Sequence, residues 1–456
     1  MPDRPERLRY AIVGTGARAE MFARAIAVDH AATAELVALA DPNPARLRAH
    51  EETLKELGAP PVATYAASDV SLMLDKERVD VLVVTTVDRY HDEYVVAALE
   101  AGRDVVTEKP MTIDAARCQR ILDAVRRTGR HVTVTFNYRY NPVHEAVRRL
   151  LAAGEIGEVG SVHFEWLLDV RHGADYFRRW HREKANSGGL LVHKASHHFD
   201  LVNWWLNAEP AEVYAQGRLF FYGEAGVRHG YARDYDRVHG SPEASDDPFA
   251  LHLADSPGLR RLYLDAEVHD GYHRDRNVFA PGVTIEDDLA VLVRYSTGAT
   301  MSYHLTAYSP WEGYRVMFNG SRGRLELEVV ENDRVSLASA DPSSGGAQHG
   351  ERAAAEEGHV LIRVHPFWQP PREVPVVGYT REGHGGADTR MATVLFGGRV
   401  TGKDELGRGA GERDGALALL TGLAANESLA TGKPVLVADL VELPPPDTPA
   451  SDHAAS

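Results

Sequence analysis

The stretch Arg9-Tyr-Ala-Ile-Val-Gly14-Thr15-Gly16-Ala17-Arg18-Ala19 decides the fold. A largely apolar run over 9–13 ends on a glycine, and Gly14-x-Gly16-x-x-Ala19 then opens a helical pattern that runs to Ala27. A G-x-G-x-x-G/A turn between strand and helix lets the backbone approach a pyrophosphate, and the helix N-terminus favours the negative charge. A bare match of this kind is common, and a plain tight turn is the alternative. Its weight comes from context, because strand patterns at 35–40, 79–86, 104–107 and 131–136 alternate with helical ones at 44–57, 91–101 and 113–128. That alternation predicts an α/β domain, a doubly wound parallel sheet with helices on both faces, over residues 1–138.

Beyond residue 140 the pattern changes. Helical stretches at 142–153 and 190–206 are followed by strands at 211–221, 289–295, 299–305, 314–318 and 324–330, with another strand at 160–168. Turn signals such as Ser296-Thr-Gly298 join several of them. This predicts a second α/β domain, 139–443, with an open, mostly antiparallel sheet. Residues 222–282 read as an insertion rich in His, Asp and Arg, 341–358 as a mobile loop, and 444–456 as a disordered Pro- and Ala-rich tail.

The 456-residue chain carries 50 Lys+Arg against 66 Asp+Glu, a net charge of −16, which argues against a nucleic-acid partner. No apolar run reaches the roughly 18 residues of a membrane span, and the N-terminus has no apolar signal core, so a cytoplasmic protein is expected. The one cysteine, Cys118, excludes a disulfide framework or thiolate cluster and reads as core packing. Lysines are scarce: Lys55, Lys76, Lys109, Lys184, Lys194, Lys403 and Lys433 are all there are.

Asp41 ends the second strand, where a carboxylate accepts bonds from the adenosine ribose and repels a 2′-phosphate. NAD is therefore favoured, while Arg46, five residues on, leaves NADP open. Thr85-Thr86-Val87-Asp88-Arg-Tyr-His91 follows the third strand pattern and would wall the crevice under the cofactor. Glu108-Lys109-Pro110 closes the next strand; a lysine there, partly desolvated, would exchange a proton near neutrality. A surface lysine capping a strand is the plainer alternative. The densest polar cluster is His193-Lys194-Ala-Ser-His197-His198-Phe-Asp200. If 190–206 is one helix, His193, His197 and Asp200 share a face at i, i+4 and i+7. A metal site, a structural histidine network and a proton-transfer site compete there. The metal reading lacks the H-E-x-x-H glutamate, and no metal is expected. Trp166, Tyr176, Arg178, Trp180 and His181 precede the cluster, in the style of a sugar-binding wall. Trp311–Arg315 and His384–Asp388 are within the segments that could reach the site.

These pieces in this order resemble the glucose–fructose oxidoreductase / inositol dehydrogenase / rhizopine-catabolism (Gfo/Idh/MocA) family. The matching elements are Gly14-x-Gly16, Thr85-Thr-Val-Asp88…His91, Glu108-Lys109-Pro110, Asn137-Tyr-Arg139-Tyr-Asn-Pro142 and Gly188-Gly189…His197…Asp200. The resemblance covers 7–216 well and 285–440 loosely. It implies a Rossmann domain, a substrate and oligomerisation domain, a nicotinamide cofactor, and hydride exchange at a sugar, polyol or glycoside carbon. Homodimers or homotetramers are common in such proteins. Carried over by position, Lys109 and His197 are the catalytic pair, with His193 and Lys194 beside them. Gly14 to Arg18, Asp41, Thr85 to Val87, His91, Glu108, Lys109 and Asn137 fall to the cofactor, and Arg139, Trp166, Arg178, Trp180, His198 and Asp200 to the substrate. Two departures stand out: His193 replaces the family's usual aspartate, and Val87-Asp88 replaces Pro-Asn. They leave room for a redox-neutral, NAD-dependent glycosidase, and for a non-catalytic NAD-linked sugar sensor, besides the dehydrogenase.

Overall fold

The structure, a computed structural model, describes residues 7–335, 358–380, 383–398 and 404–444. Its first sheet is parallel, with six strands in the order β3-β2-β1-β4-β5-β6: β1 (Leu8–Val13), β2 (Ala34–Ala40), β3 (Ala63–Tyr65), β4 (Val81–Val84), β5 (Asp104–Thr107) and β6 (Val132–Val134). Helices α1 (Ala17–Arg24), α2 (Pro44–Glu56), α3 (Val70–Lys76), α4 (His91–Glu100) and α5 (Ala115–Thr128) cover it. Strands covered on both faces need apolar residues throughout, and Ile12, Val13, Leu82, Val83 and Val84 are fully buried. Local chemistry sets the helix ends. Asn43 accepts the Ala45 N–H with Pro44 in the first helical position. Asp114 caps α5, and Gly129 at φ 65° ends it. That cap starts α5 two residues later than the apolar pattern suggests.

The strand expected over 79–86 is shorter. Thr85 turns its hydroxyl onto the Gly14 carbonyl at 2.6 Å, so the chain leaves the sheet at Val84 to meet the glycine loop.

After α6 (Pro142–Ala152) the chain builds a nine-stranded sheet, order β14-β13-β12-β11-β7-β10-β9-β8-β15. Its strands are β7 (Val159–Asp169), β8 (Pro210–Arg218), β9 (Asp288–Tyr295), β10 (Thr300–Ser309), β11 (Glu312–Gly320), β12 (Gly323–Asn332), β13 (His359–Pro366), β14 (Arg372–Glu373) and β15 (Val435–Leu436). All neighbours are antiparallel except β7 with β10. Alternate residues of β9 and β10 are buried, so one face packs on the core and the other is open. Four helices lie between β7 and β8: α7 (Val170–Arg178), α8 (Lys184–Ser187), α9 (Leu190–His193) and α10 (Ser196–Leu206).

The single helix expected over 190–206 is a correction. The Leu190 carbonyl accepts both the Lys194 and Ala195 N–H groups, at 3.1 and 2.8 Å. This widened turn separates α9 from α10, and His193 and His197 do not share one continuous face.

The insertion is stapled at its base, where the Asp287 carboxylate accepts the N–H groups of Phe220, Phe221 and Tyr222 at 2.6–2.8 Å. It forms only short helical turns, among them α11 (Pro257–Leu259) and α12 (Glu267–Asp270). Its Leu251, Leu253, Leu259, Leu262 and Tyr263 pack with Ala49 of α2, so it leans back onto the first domain. Helices α13 (Gly383–Phe396) and α14 (Glu412–Thr431) complete the chain. α14 passes so close to α9 that a Cβ at Gly422 would meet the Leu191 carbonyl oxygen at 2.3 Å. Most of the 341–358 loop and of the 444–456 tail lies outside the described residues.

Candidate active site

The glycine loop is built by contact as much as by sequence. Gly14 sits at φ 90°, and a Cβ there would meet the Thr86 nitrogen at 2.6 Å, so only glycine lets β1 and the β4 loop close together. Asp41 is buried and accepts the Thr15 and Asn43 N–H groups at 2.6 and 2.8 Å. A glycine turn, a Gly16 whose Cβ position has only the Tyr263 hydroxyl within reach, at 3.8 Å, a helix N-terminus and a carboxylate ending β2 fit a dinucleotide. Arg46 reaches Asp270 at 2.7 Å and Asp41 at 3.8 Å. Its charge is thereby balanced by carboxylates, which weakens the case for a 2′-phosphate and favours NAD.

One contact here has no sequence signal. The Ala17 N–H, first in α1, donates to the hydroxyl of Tyr263 at 3.0 Å, and Arg46 lies over the Tyr263 and Tyr272 rings. The insertion thus covers the glycine loop.

Arg18, Glu108 and Asn137 converge on one another. Arg18 pairs with Glu108 at 2.7 Å and with Asp388 at 3.0 Å, and Asn137 donates to Asp388 at 2.8 Å. Asp388, in the 384–388 segment, does reach the site. His91 is a brace: its ring nitrogens lie 2.9 Å from the Pro110 carbonyl and 3.1 Å from the Thr86 carbonyl. Burial holds its pKa below the histidine range. At 1% exposure, with its ring edge turned to these two backbone carbonyls, one of which accepts its single N–H, His91 braces the loops and does not line the cleft, which corrects its assignment to direct cofactor contact.

Lys109 ends β5 and stays partly exposed. Its Nζ donates to the His193 carbonyl at 3.3 Å. Burial lowers its pKa, opposed by Glu108 and Asp88. Asp88 is buried and lies 2.5 Å from His193 Nδ1. Burial raises the Asp88 pKa, and burial with Lys109 and Arg179 pushes His193 well below its usual range. Burial therefore opposes charge on both members, and the contact is satisfied by a single proton on His193 Nδ1, donated to the Asp88 carboxylate that Lys109 and Arg179 help to keep charged, so that Nε2 carries none. The two departures noted in the sequence, His193 and Asp88, are thus in contact with each other. His193 is partly exposed, with Tyr176, Trp180 and His181 around its ring.

The other residues assigned to catalysis or substrate, Trp180 apart, are buried. His197 is buried, its ring stacked 4.5 Å from that of Tyr138. His198 is fully buried and meets the Tyr303 hydroxyl at 2.7 Å. Trp166 is sandwiched between Tyr314 at 4.4 Å and His198 at 4.0 Å, so it is core and not a sugar platform. Lys194 is buried with its Nζ 4.8 Å from the Trp166 ring centroid, and burial brings its pKa to about 8, opposed by Glu312. Arg139 and Asp200 are also corrected: they pair bidentately at 2.6 and 2.8 Å in the core. Arg178 is buried and donates to the Phe249 carbonyl at 2.9 Å, which ties the insertion down. Among the described residues no group of three or more His, Cys, Asp or Glu converges as a metal site.

The accessible wall is therefore Thr86, Val87, Lys109, Arg179, Trp180 and His193. Arg179, whose guanidinium lies 3.2 Å from His181 Nε2, carries no motif and was not foreseen, nor were Tyr263 and Arg274 of the insertion.

Two family models match the chain. An oxidoreductase family, NAD-binding Rossmann fold, spans residues 8–136, and its C-terminal alpha/beta domain spans 148–437. A putative oxidoreductase YteT of Bacillus subtilis is 33% identical over 430 residues, 90% of this chain and 92% of that protein. The inositol 2-dehydrogenase of Rhizobium meliloti is 30% identical over 234 residues, 51% of this chain and 63% of that protein. In fold, the chain is similar to an aldose-aldose oxidoreductase from Caulobacter crescentus, with a TM-score of 0.59 at 18% identity over 94% of this chain and all (100%) of that one.

Proposed function

The chain belongs to the Gfo/Idh/MocA oxidoreductase family, and from that premise we propose that it moves hydride between NAD and a hydroxyl-bearing carbon of a sugar, polyol or glycoside. The family makes it an NAD-linked oxidoreductase for sugar-like alcohols. The inositol dehydrogenases among its relatives support a cyclic polyol or sugar ring as substrate. The observation that carries the reading is the meeting of Lys109 with the Asp88–His193 pair at the C-terminal ends of β4 and β5, the edge at which such sheets bind ligands.

Bound at the glycine loop, the nicotinamide supplies a two-electron hydride acceptor. Asp88 fixes the ring of His193 through Nδ1, which leaves Nε2 to accept the carbinol proton. His193 has the accessible position and a pKa below neutrality, so it is uncharged and ready to accept. Lys109 holds the oxygen as its proton leaves. On this reading we assign the acceptor role to His193, whereas the family resemblance alone puts it at His197, which lies buried against Tyr138.

A screen of sugars, polyols and glycosides with NAD and NADP, reading NADH absorbance and product masses together, tests the proposal. Stoichiometric NADH with a ketone or lactone product is expected. A second reading, redox-neutral glycoside cleavage, is favoured by the cover that Tyr263 lays on the glycine loop, since a retained cofactor suits a reaction that returns its hydride. It predicts sugar release with catalytic NAD and no NADH build-up. Tight sugar binding without turnover of any kind would support the sensor instead. We place the protein in the cytoplasm, as a homodimer or homotetramer across the open sheet face, where Leu292 is exposed.

A further inference from the structure

Arg274 is the most deeply buried cation that the insertion brings to the cleft. Its residue exposure is 2%, and its Nε and one Nη have no hydrogen-bond partner. The nearest carboxylate, Asp175, is 4.0 Å away. Asp175 is already engaged by Arg179 and lies 3.8 Å from Arg178. Three guanidinium groups therefore crowd one carboxylate. Arg178 is relieved by the Phe249 carbonyl, but Arg179 also keeps an unpartnered buried Nε, and the Nδ1 of neighbouring His181 is unpartnered too. Buried cations in excess of their counter-ions are costly, and a guanidinium edge with unused donors is shaped for a carboxylate.

The location says whose carboxylate. Arg179 contacts His181, whose ring centroid is 4.2 Å from that of His193. Arg179 thus lies one imidazole away from the proton acceptor. Arg274 reaches this point by stacking on Tyr263, with its guanidinium carbon 4.3 Å from the ring centroid. The ring covers one face of the guanidinium, and the Nε edge is left buried without a hydrogen-bond partner.

We propose that Arg179 and Arg274 form a subsite for a carboxylate of the substrate, so that the preferred substrate is an acidic sugar such as a uronate or its glycoside. The inference rests on the sugar oxidoreductase reading above. The insertion then acts as a specificity element: it delivers the second arginine of the clamp.

Calorimetric titration of the full chain, saturated with NADH, with three matched pairs tests this: D-glucose and D-glucuronate, D-galactose and D-galacturonate, D-mannose and D-mannuronate. In at least one pair the acid should bind more tightly by about tenfold or more, the worth of a charge-assisted hydrogen bond. Arg274→Gln should shrink that preference to about threefold or less with an unchanged NADH Kd, and Arg274→Lys should retain part of it. If Arg274→Gln fails to fold by circular dichroism, Arg179→Gln carries the same expectation. Equal binding of acid and neutral sugar in every pair overturns the subsite and leaves the oxidoreductase reading intact. A preference that survives both glutamine variants overturns it as well. A weakened NADH Kd with the acid preference unchanged assigns the arginines to the cofactor pyrophosphate and overturns it. Binding of none of the six sugars by a protein that binds NADH removes the sugar reading itself, and the subsite with it.

Discussion

Lys109 and Lys194 both border His193, yet their surroundings differ in kind. Lys109 is partly open to the cleft, with the Glu108 and Asp88 carboxylates around its ammonium. Lys194 is sealed among ring faces, 4.8 Å from the Trp166 centroid and 5.9 Å from that of Tyr138, with Glu312 as its main counter-charge. Glu312 is itself tied to His172 at 2.5 Å. A cation flanked by carboxylates keeps a proton to give and a route for it. A cation held by aromatic faces is fixed in place and has no path to substrate. Two lysines equally conspicuous in the sequence thus take different work from their neighbours.

The sharpest way to break this contrast is to remove each ammonium. Lys109→Met should lower kcat by about 10³-fold, within the usual range for a positioned proton-transfer group, with a melting temperature close to that of the parent. Lys194→Met should lower kcat by less than about tenfold. Equal losses in the two variants would mean that sealing does not exclude Lys194 from the chemistry.

The next largest effect concerns the Asp88–His193 pair beside Lys109. Asp88→Asn removes the carboxylate that orients His193 and should reduce kcat/KM by about 10²-fold. The double variant Asp88→Asn with His193→Asp puts the carboxylate on the α9 side of the contact. It should recover about tenfold over Asp88→Asn, a coupling that independent sites would not give. It should also flatten the acid limb of the pH–rate profile, because the imidazole that titrates is gone. A double variant no better than either single one would separate Asp88 from His193 functionally, whatever their 2.5 Å contact.

How much of this was legible follows from where each signal lives. The first sheet was readable because its strands are buried on both faces and its helix ends are marked by local residues, Asn43-Pro44, Asp114 and Gly129. Lys109 was readable for the same reason: its place at a strand end is a local fact with a topological consequence. The break between α9 and α10 was not, since no Gly or Pro marks it and it depends on how the Leu190 carbonyl is shared. Arg139 and Asp200 looked like ligand-binding residues because sequence shows charges without their partners; their partners are each other. Tyr263 and Arg274 were invisible because the insertion has no periodic pattern. Its landing place is set by Leu251, Leu253 and Leu262 packing on α2.

The smallest effect, and the most specific to Lys194, lies in stability. Its folded pKa is about 8 against an ordinary 10.5, lowered chiefly by burial. Between those two values the unfolded chain binds more protons than the folded one, so stability rises with pH through that window. Below it the lysine is charged in both states and the full cost of burying an ammonium is present; above it the lysine is neutral in both and the cost is gone. Methionine has no such titration. Urea denaturation of the parent and of Lys194→Met between pH 7 and 11 should therefore show the parent gaining on the variant by up to about 3 kcal/mol. The gain should begin near pH 8 and level off above pH 10.5. A difference that stays flat across this window would mean that Lys194 holds its proton as firmly when folded as when unfolded. The Glu312 charge would then be its true partner, and the aromatic cage a lesser part of its setting. That outcome would make the two lysine sites alike in kind, both held by carboxylates, and leave accessibility as the one property that separates them.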